Sequence, residues 1–341
     1  MGVLVAYLGS QFEQALELIE PSERDKANAP KAHQEVRDVL RSAPALSDWG
    51  LNPILIGSYK RGVSIRRVKD VDVFCRMEEI GNKISAIEVL DRFYDVLDES
   101  FGEDELGNPR VVRQGRSIKV EFPEFDGIHV DAVPARPRSD GYWEIPKQDG
   151  GWQLTNPDEL TTLKTEMNEN FGGNYVPLVK LMRQTRLTLL GKGSHPGGLF
   201  VEMCLYNACL QGKVDQNNLT LGYVSALQAV ADYIHTKVQS GAELPDPTLP
   251  GHQLYFRATE SEWDTAQIEF GEAAHIAHEA FLEKDAGKAA MQFRGLLGVN
   301  GDGEVVFPMP AGYSEDGSEE SSSKIIRPGS ANVPAGDRRF G

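Results

Sequence analysis

Cysteine is scarce, with three in 341 residues. Cys75, Cys204 and Cys209 stand apart in apolar surroundings, without metal-ligand spacing. That argues against a disulfide framework or a cysteine metal centre and reads as buried free thiols in a reducing compartment. Basic charge is also short: 35 Lys and Arg face 51 Asp and Glu, a net charge of −16. The molecule as a whole should repel nucleic acid, so stable nucleic-acid binding is not expected, although a local basic cleft remains open. No apolar run approaches the roughly 18 residues of a membrane span, and no signal-peptide pattern is evident. The expectation is a cytoplasmic protein with no membrane partner. No internal repeat is present, and apolar and charged content are ordinary for a globular chain.

What is present is concentrated between Gly57 and Met77, GSYKRGVSIRRVKDVDVFCRM. In VKDVDVF, acidic and apolar residues alternate. Side chains at i and i+2 share one face of a strand, so Asp70 and Asp72 point one way while Val71, Val73 and Cys75 point into a core. Two carboxylates roughly 7 Å apart on one face repel unless a positive charge lies between them. Magnesium suits that place, being held by one or two carboxylates together with substrate phosphates. Upstream, Ile54–Ile56 reads as a strand end and Gly57-Ser58 as a helix start. Such a glycine lets backbone approach a phosphate, and a helix start offers N–H groups to an anion. Lys60, Arg61, Arg66, Arg67 and Lys69 read mostly as a solvated face.

Downstream, SIKVEF (117–122) alternates like a strand. After a turn, IHVDAVPA carries Asp131 inside a second strand. A hairpin here sets Asp131 beside the strand of Asp70 and Asp72. Three carboxylates can hold two metal ions about 3.5–4 Å apart, which clamp the attacking and leaving oxygens of an in-line displacement.

Gly57-Ser58, Asp70-x-Asp72 and Val130-Asp131-Ala132-Val133-Pro134 resemble the signature of the polymerase-beta-like nucleotidyltransferases. Trp152 to Pro157 (W-x-x-T-N-P), the helix start Asn174 to Leu181, Gly198-Leu199-Phe200-Val201-Glu202 and a late FRGLLG…FP resemble one branch, the cGAS/DncV-like nucleotidyltransferases (CD-NTases) of bacterial CBASS anti-phage signalling. The resemblance reaches to about Pro308. It implies an α+β, bilobal fold, with a mixed-sheet nucleotidyltransferase core joined to a helical C-terminal domain. It implies that Lys180, on the helix after Asn174, reaches the triphosphate, and that the product is a cyclic di- or trinucleotide read by a downstream effector.

In chain order, helices are expected over 3–19 and from about 22 to Leu40, as N-terminal helices (1–49) packed on the core. The catalytic core follows (50–170), with a helix over 84–101, strands near 110–122 and 128–135, a polar loop over 136–151 and a helix from Pro157. The helical domain (171–308) has helices over 176–190, 199–210, 221–238 and one or two over 263–296. Glu202, amid apolar neighbours, reads as a paired structural carboxylate. From about Gly312 the composition turns to Ser, Glu, Gly and Pro, and 309–341 is expected to be a flexible tail. Its terminal Gly341 is similar to the tails of CD-NTases that an E1/E2-like partner conjugates through their last residue.

The residues therefore point to a Mg2+-dependent nucleotidyltransferase using NTPs such as ATP or GTP, with two ions and Mn2+ as a substitute. Asp70, Asp72 and Asp131 are catalytic and metal-ligating; Gly57, Ser58 and Lys180 bind the nucleotide. Two alternatives keep less of this: transfer to an RNA 3′ end or a protein, and an NTP-binding sensor without turnover.

Overall fold

The computed structural model describes residues 8–147 and 149–320. The chain forms two cores. One is built on a seven-stranded sheet with strand order β1-β2-β5-β4-β3 and a hairpin, β6 and β7, continued from β5. Its strands are β1 (Leu51–Ile56), β2 (Asp70–Met77), β3 (Val111–Arg113), β4 (Ile118–Phe122), β5 (Ile128–Pro137), β6 (Trp143–Pro146) and β7 (Trp152–Thr155). Only the β2–β5 pair among these is parallel.

The period-two pattern of β2 works as the sequence suggests. Val71, Val73, Cys75 and Met77 are buried on one face. They join a core with Ala32, Val36 and Leu40 of α2 (Glu23–Ser42) and with Val89, Leu90 and Phe93 of α4 (Ala86–Phe101). A capping box starts α2: Ser22 Oγ accepts from the Asp25 N–H and Asp25 accepts from the Ser22 N–H. The same Asp25 carboxylate accepts from the N–H groups of Arg67 and Val68, each at 3.1 Å, and so fixes the approach to β2.

The second core is helical. Its helices are α5 (Pro157–Asn170), α6 (Tyr175–Leu190), α7 (Gly198–Leu210), α8 (Leu219–Ser240), α9 (Glu260–Leu282) and α10 (Ala286–Leu297), close to the expected spans. α7 is buried nearly all round, from Phe200 to Cys209, as a central helix must be.

Four expectations are corrected. The first helix, α1 (Gly9–Ile19), does not pack on the sheet. Phe12, Ala15 and Ile19 are buried in the helical core, with Phe12 against Tyr223, Phe293 and Phe307. Helix α5 also turns Leu160, Leu163 and Met167 to that core, so by packing the helical part begins at 157 rather than 171. Residues 136–151 are not a plain loop, because β5 runs on to Pro137 and β6 pairs with β7. Their four-residue runs, broken by Pro146 and the Gly150-Gly151 turn, carry too little periodicity to be read alone. Finally, the described part of the tail is ordered. Residues 312–320 close a small loop, with the Glu320 N–H donating to Gly312 O, and Arg294 of α10 binds both the carbonyl and the carboxylate of Glu315. Gly287 permits this, since a Cβ there would lie 2.3 Å from Gly317 O. Val3 to Tyr7 of the expected first helix and Gly341 lie outside the described residues.

Candidate active site

The strand register brings the three acids together. Asp72 pairs with Asp131 across the parallel β2–β5 ladder, and Asp70 pairs with His129 two residues earlier. The β4–β5 hairpin delivers Asp131, opposite Lys119. On the other side, Ile56 of β1 pairs with Asp72 and hands the chain to Gly57.

Gly57 and Ser58 open a helix of a single turn, α3 (Gly57–Lys60). Four residues make a weak dipole, so the need for glycine has another cause. Its φ is +74°, and a Cβ there would stand 1.8 Å from Asp72 Oδ2. The left-handed backbone and the acid packed on it both demand the missing side chain. Ser58 Oγ lies 3.2 Å from Ser64 Oγ.

Crowding dominates the electrostatics. Burial first, then the charges of Asp70 and Asp131, push Asp72 up to about 7. Burial likewise raises Asp131, with Asp70 adding to it and His129 and Lys119 opposing. His129 Nε2 stands 4.0 Å from Asp131 Oδ2, while Asp131 Oδ1 is buried with no hydrogen-bond partner. An orphaned carboxylate oxygen and a carboxyl forced toward neutrality fit a place where a cation is expected. Among the described residues no three such side chains close into a metal cage of their own.

Lys180, expected at the triphosphate, is engaged elsewhere. Its ammonium is paired with Glu20, at the end of α1. Three residues on, Arg183 is the cation of α6 whose charge acts on both Asp70 and Asp72. Arg61, expected on a solvated face, is instead buried and bidentate to Glu202, with both contacts at 2.8 Å. Arg66 and Arg67 pair with Asp302, and Lys69 Nζ donates to Asp126 O. Glu202 is the paired carboxylate that its apolar neighbours imply. Trp152 lies against Arg136, 4.1 Å from its guanidinium carbon to the ring centre, and packs at the sheet core.

Beside the acids, a cavity of about 1110 Å³ opens between the two cores. Arg116, Ser117, Lys147, His195, Tyr255 and Arg257 line it, and Ser117 lies two residues before Lys119 on the strand edge next to Asp131.

Residues 7–168 match the family model of the Second Messenger Oligonucleotide or Dinucleotide Synthetase domain. A cyclic AMP-AMP-AMP synthase of Acinetobacter sp. (strain ATCC 27244 / 9458) is 29% identical over 333 residues, covering 93% of this chain and 90% of the relative. Over nearly its whole length the chain is similar to cyclic-oligonucleotide synthases of the CD-NTase kind. These nucleotidyltransferases make cyclic oligonucleotide second messengers in CBASS defence. The fold agrees with solved CD-NTases. The E. coli MS115-1 CdnC with ATP superposes with a TM-score of 0.64 at 18% identity, covering 88% of this chain and 98% of that one. The Bradyrhizobium diazoefficiens CdnG in complex with GTP gives 0.65 at 15% identity, covering 86% and 95%. No described helix is long and apolar enough to cross a membrane.

Proposed function

We propose that this chain is a CD-NTase that condenses ATP into a cyclic oligoadenylate, with a cyclic trinucleotide of AMP as its product. The observation that carries the site is Asp131: it faces Asp72 in register and keeps a buried oxygen without a partner. The Acinetobacter relative, a cyclic AMP-AMP-AMP synthase, supports the product.

Asp70, Asp72 and Asp131 would hold two magnesium ions. When bound, magnesium supplies the charge that neutralises these acids and the triphosphate and makes the acceptor hydroxyl more acidic. The Gly57 turn and the Ser58 hydroxyl hold the β- and γ-phosphates. Arg183 replaces Lys180 in the proposal as the cation on the triphosphate, because it already lies in the field of the acids. Asp131 accepts the hydrogen bond of the ribose hydroxyl and draws its proton. The freed oxygen attacks the α-phosphorus, and the bond to pyrophosphate breaks. Repetition lengthens a linear intermediate, and attack by its own free hydroxyl closes the ring. The open cavity lined by Tyr255, Arg257 and Lys147 has room for the growing product, and an aromatic face there can stack on a base.

The test is incubation with Mg2+ or Mn2+ and the four labelled NTPs, followed by phosphatase and mass spectrometry. A phosphatase-resistant cyclic triadenylate is expected. A resistant ring of other size or base would correct the product. No phosphatase-resistant small product, with label transferred instead to added tRNA or to the protein, would overturn the cyclase reading.

A further inference from the structure

Helix α7 contributes no residue to the acid cluster, yet it is built around Arg183 of α6. Glu202, 1% exposed, receives Arg61 from α3 through two hydrogen bonds of 2.8 Å. Its Oε2, the oxygen that receives Arg61 Nη2, also stands 3.9 Å from Arg183 Nη1. One carboxylate thus faces two arginines and is fully engaged with only one. Arg183 Nε is buried without a hydrogen-bond partner. One turn earlier on α7 comes Gly198. A Cβ there would lie 2.8–3.0 Å from the carbon and both terminal nitrogens of the Arg183 guanidinium. The Gly198 backbone is not left-handed, so the absent side chain answers a need for space and not for conformation.

We propose that Gly198 and Glu202 form a seat that presents the Arg183 guanidinium to the nucleotide triphosphate. Gly198 leaves the volume the guanidinium occupies. Glu202 holds it by charge at a distance too long for a tight hydrogen bond, so hydrogen-bonding capacity is kept for phosphate oxygens. Meanwhile the Arg61 pair ties the seat to α3, directly after Gly57 and Ser58, so that Arg183 and Ser58 keep one spacing. Both residues are positioning residues that act through Arg183, and the proposal rests on the nucleotidyltransferase reading above.

The expected signature is in nucleotide affinity. Gly198→Ala leaves the Arg61–Glu202 pair and every acid intact and displaces only the guanidinium. With full-length protein, a non-hydrolysable ATP analogue and Mg2+, its Kd should rise about tenfold, the scale of one charge-assisted contact. KM should rise with it, kcat should stay within about twofold, and the melting temperature should match wild type. Glu202→Gln should weaken the analogue similarly, and Glu202→Asp, which keeps the charge, should recover part of the loss. If Glu202→Gln fails to fold because Arg61 loses its counter-charge, Gly198→Ala decides alone. A folded Gly198→Ala protein that binds the analogue as wild type does overturns the seat while leaving the nucleotidyltransferase reading intact. Wild-type protein that binds no analogue with any metal overturns both. Binding without nucleotidyl transfer overturns that reading alone, and the Kd comparison still judges the seat.

Discussion

Asp72 sits where its charge is least welcome until something positive arrives. Its carboxyl is pushed up to about 7 by burial and by Asp70 and Asp131, against an unfolded value near 3.8. Between those two values the folded protein holds more protons than the unfolded one, so this group's contribution to stability is present at low pH and is lost as pH rises through about 7. Metal-free wild type should therefore melt progressively below Asp72→Asn as pH goes from 5 to 8. Adding Mg2+ at pH 8 should raise the melting temperature of wild type more than that of Asp72→Asn, and the variant should make no product. Equal pH profiles by scanning fluorimetry would count against the crowded carboxylate. The buried Arg61–Glu202 pair gives a second prediction. Arg61→Met leaves Glu202 charged at 1% exposure with only the more distant Arg183, 3.9 Å away, facing it, which should cost about 3 kcal/mol in urea unfolding. Arg61→Met/Glu202→Met should recover most of that loss, since an apolar pair of similar volume is often neutral.

At the scale of elements, the site depends on β2, β5 and the turn at α3. Gly57→Ala has to place a methyl group 1.8 Å from Asp72 Oδ2 with φ at +74°. It should destabilise by about 1–2 kcal/mol from the left-handed backbone alone, and it should lower nucleotidyl transfer by more than about 100-fold, because Asp72 must move. Normal activity in that variant would remove Asp72 from the chemistry. The same elements show what the sequence could tell. Asp70 and Asp72 were legible because a strand alternates, and Asp131 because SIKVEF and IHVDAVPA read as a hairpin. The helices of the second core were legible from their 3.6-residue periodicity to within a few residues. Arg183 was not. Helix α6 buries Lys180 as well as its apolar residues, so spacing cannot say which cation faces which partner. Only the packing of α1, which brings Glu20 to Lys180, and of α7, which brings Glu202 to Arg183, settles it. Arg61 escaped for a related reason: its counter-ion lies 141 residues away in sequence, beyond any local pattern.

At the scale of the whole molecule, the matched family region, 7–168, is not a folding unit. It contains α1 and α5, whose buried faces belong to the helical core. A fragment of residues 7–168 should expose Phe12, Ile19 and Met167 and aggregate, whereas residues 22–156, which keep the sheet with α2 and α4, should be monomeric by light scattering. A well-behaved 7–168 fragment beside an aggregating 22–156 would reverse that assignment.

The same interleaving limits how the enzyme can move. Because α1 sits with the helices and α2 with the sheet, the polypeptide passes between the two halves at 20–22 and again at 156–157. Val63, in the segment before β2, is buried in the helical core as well, and Arg61 reaches across to Glu202, so the two halves are tied at more than their two crossings.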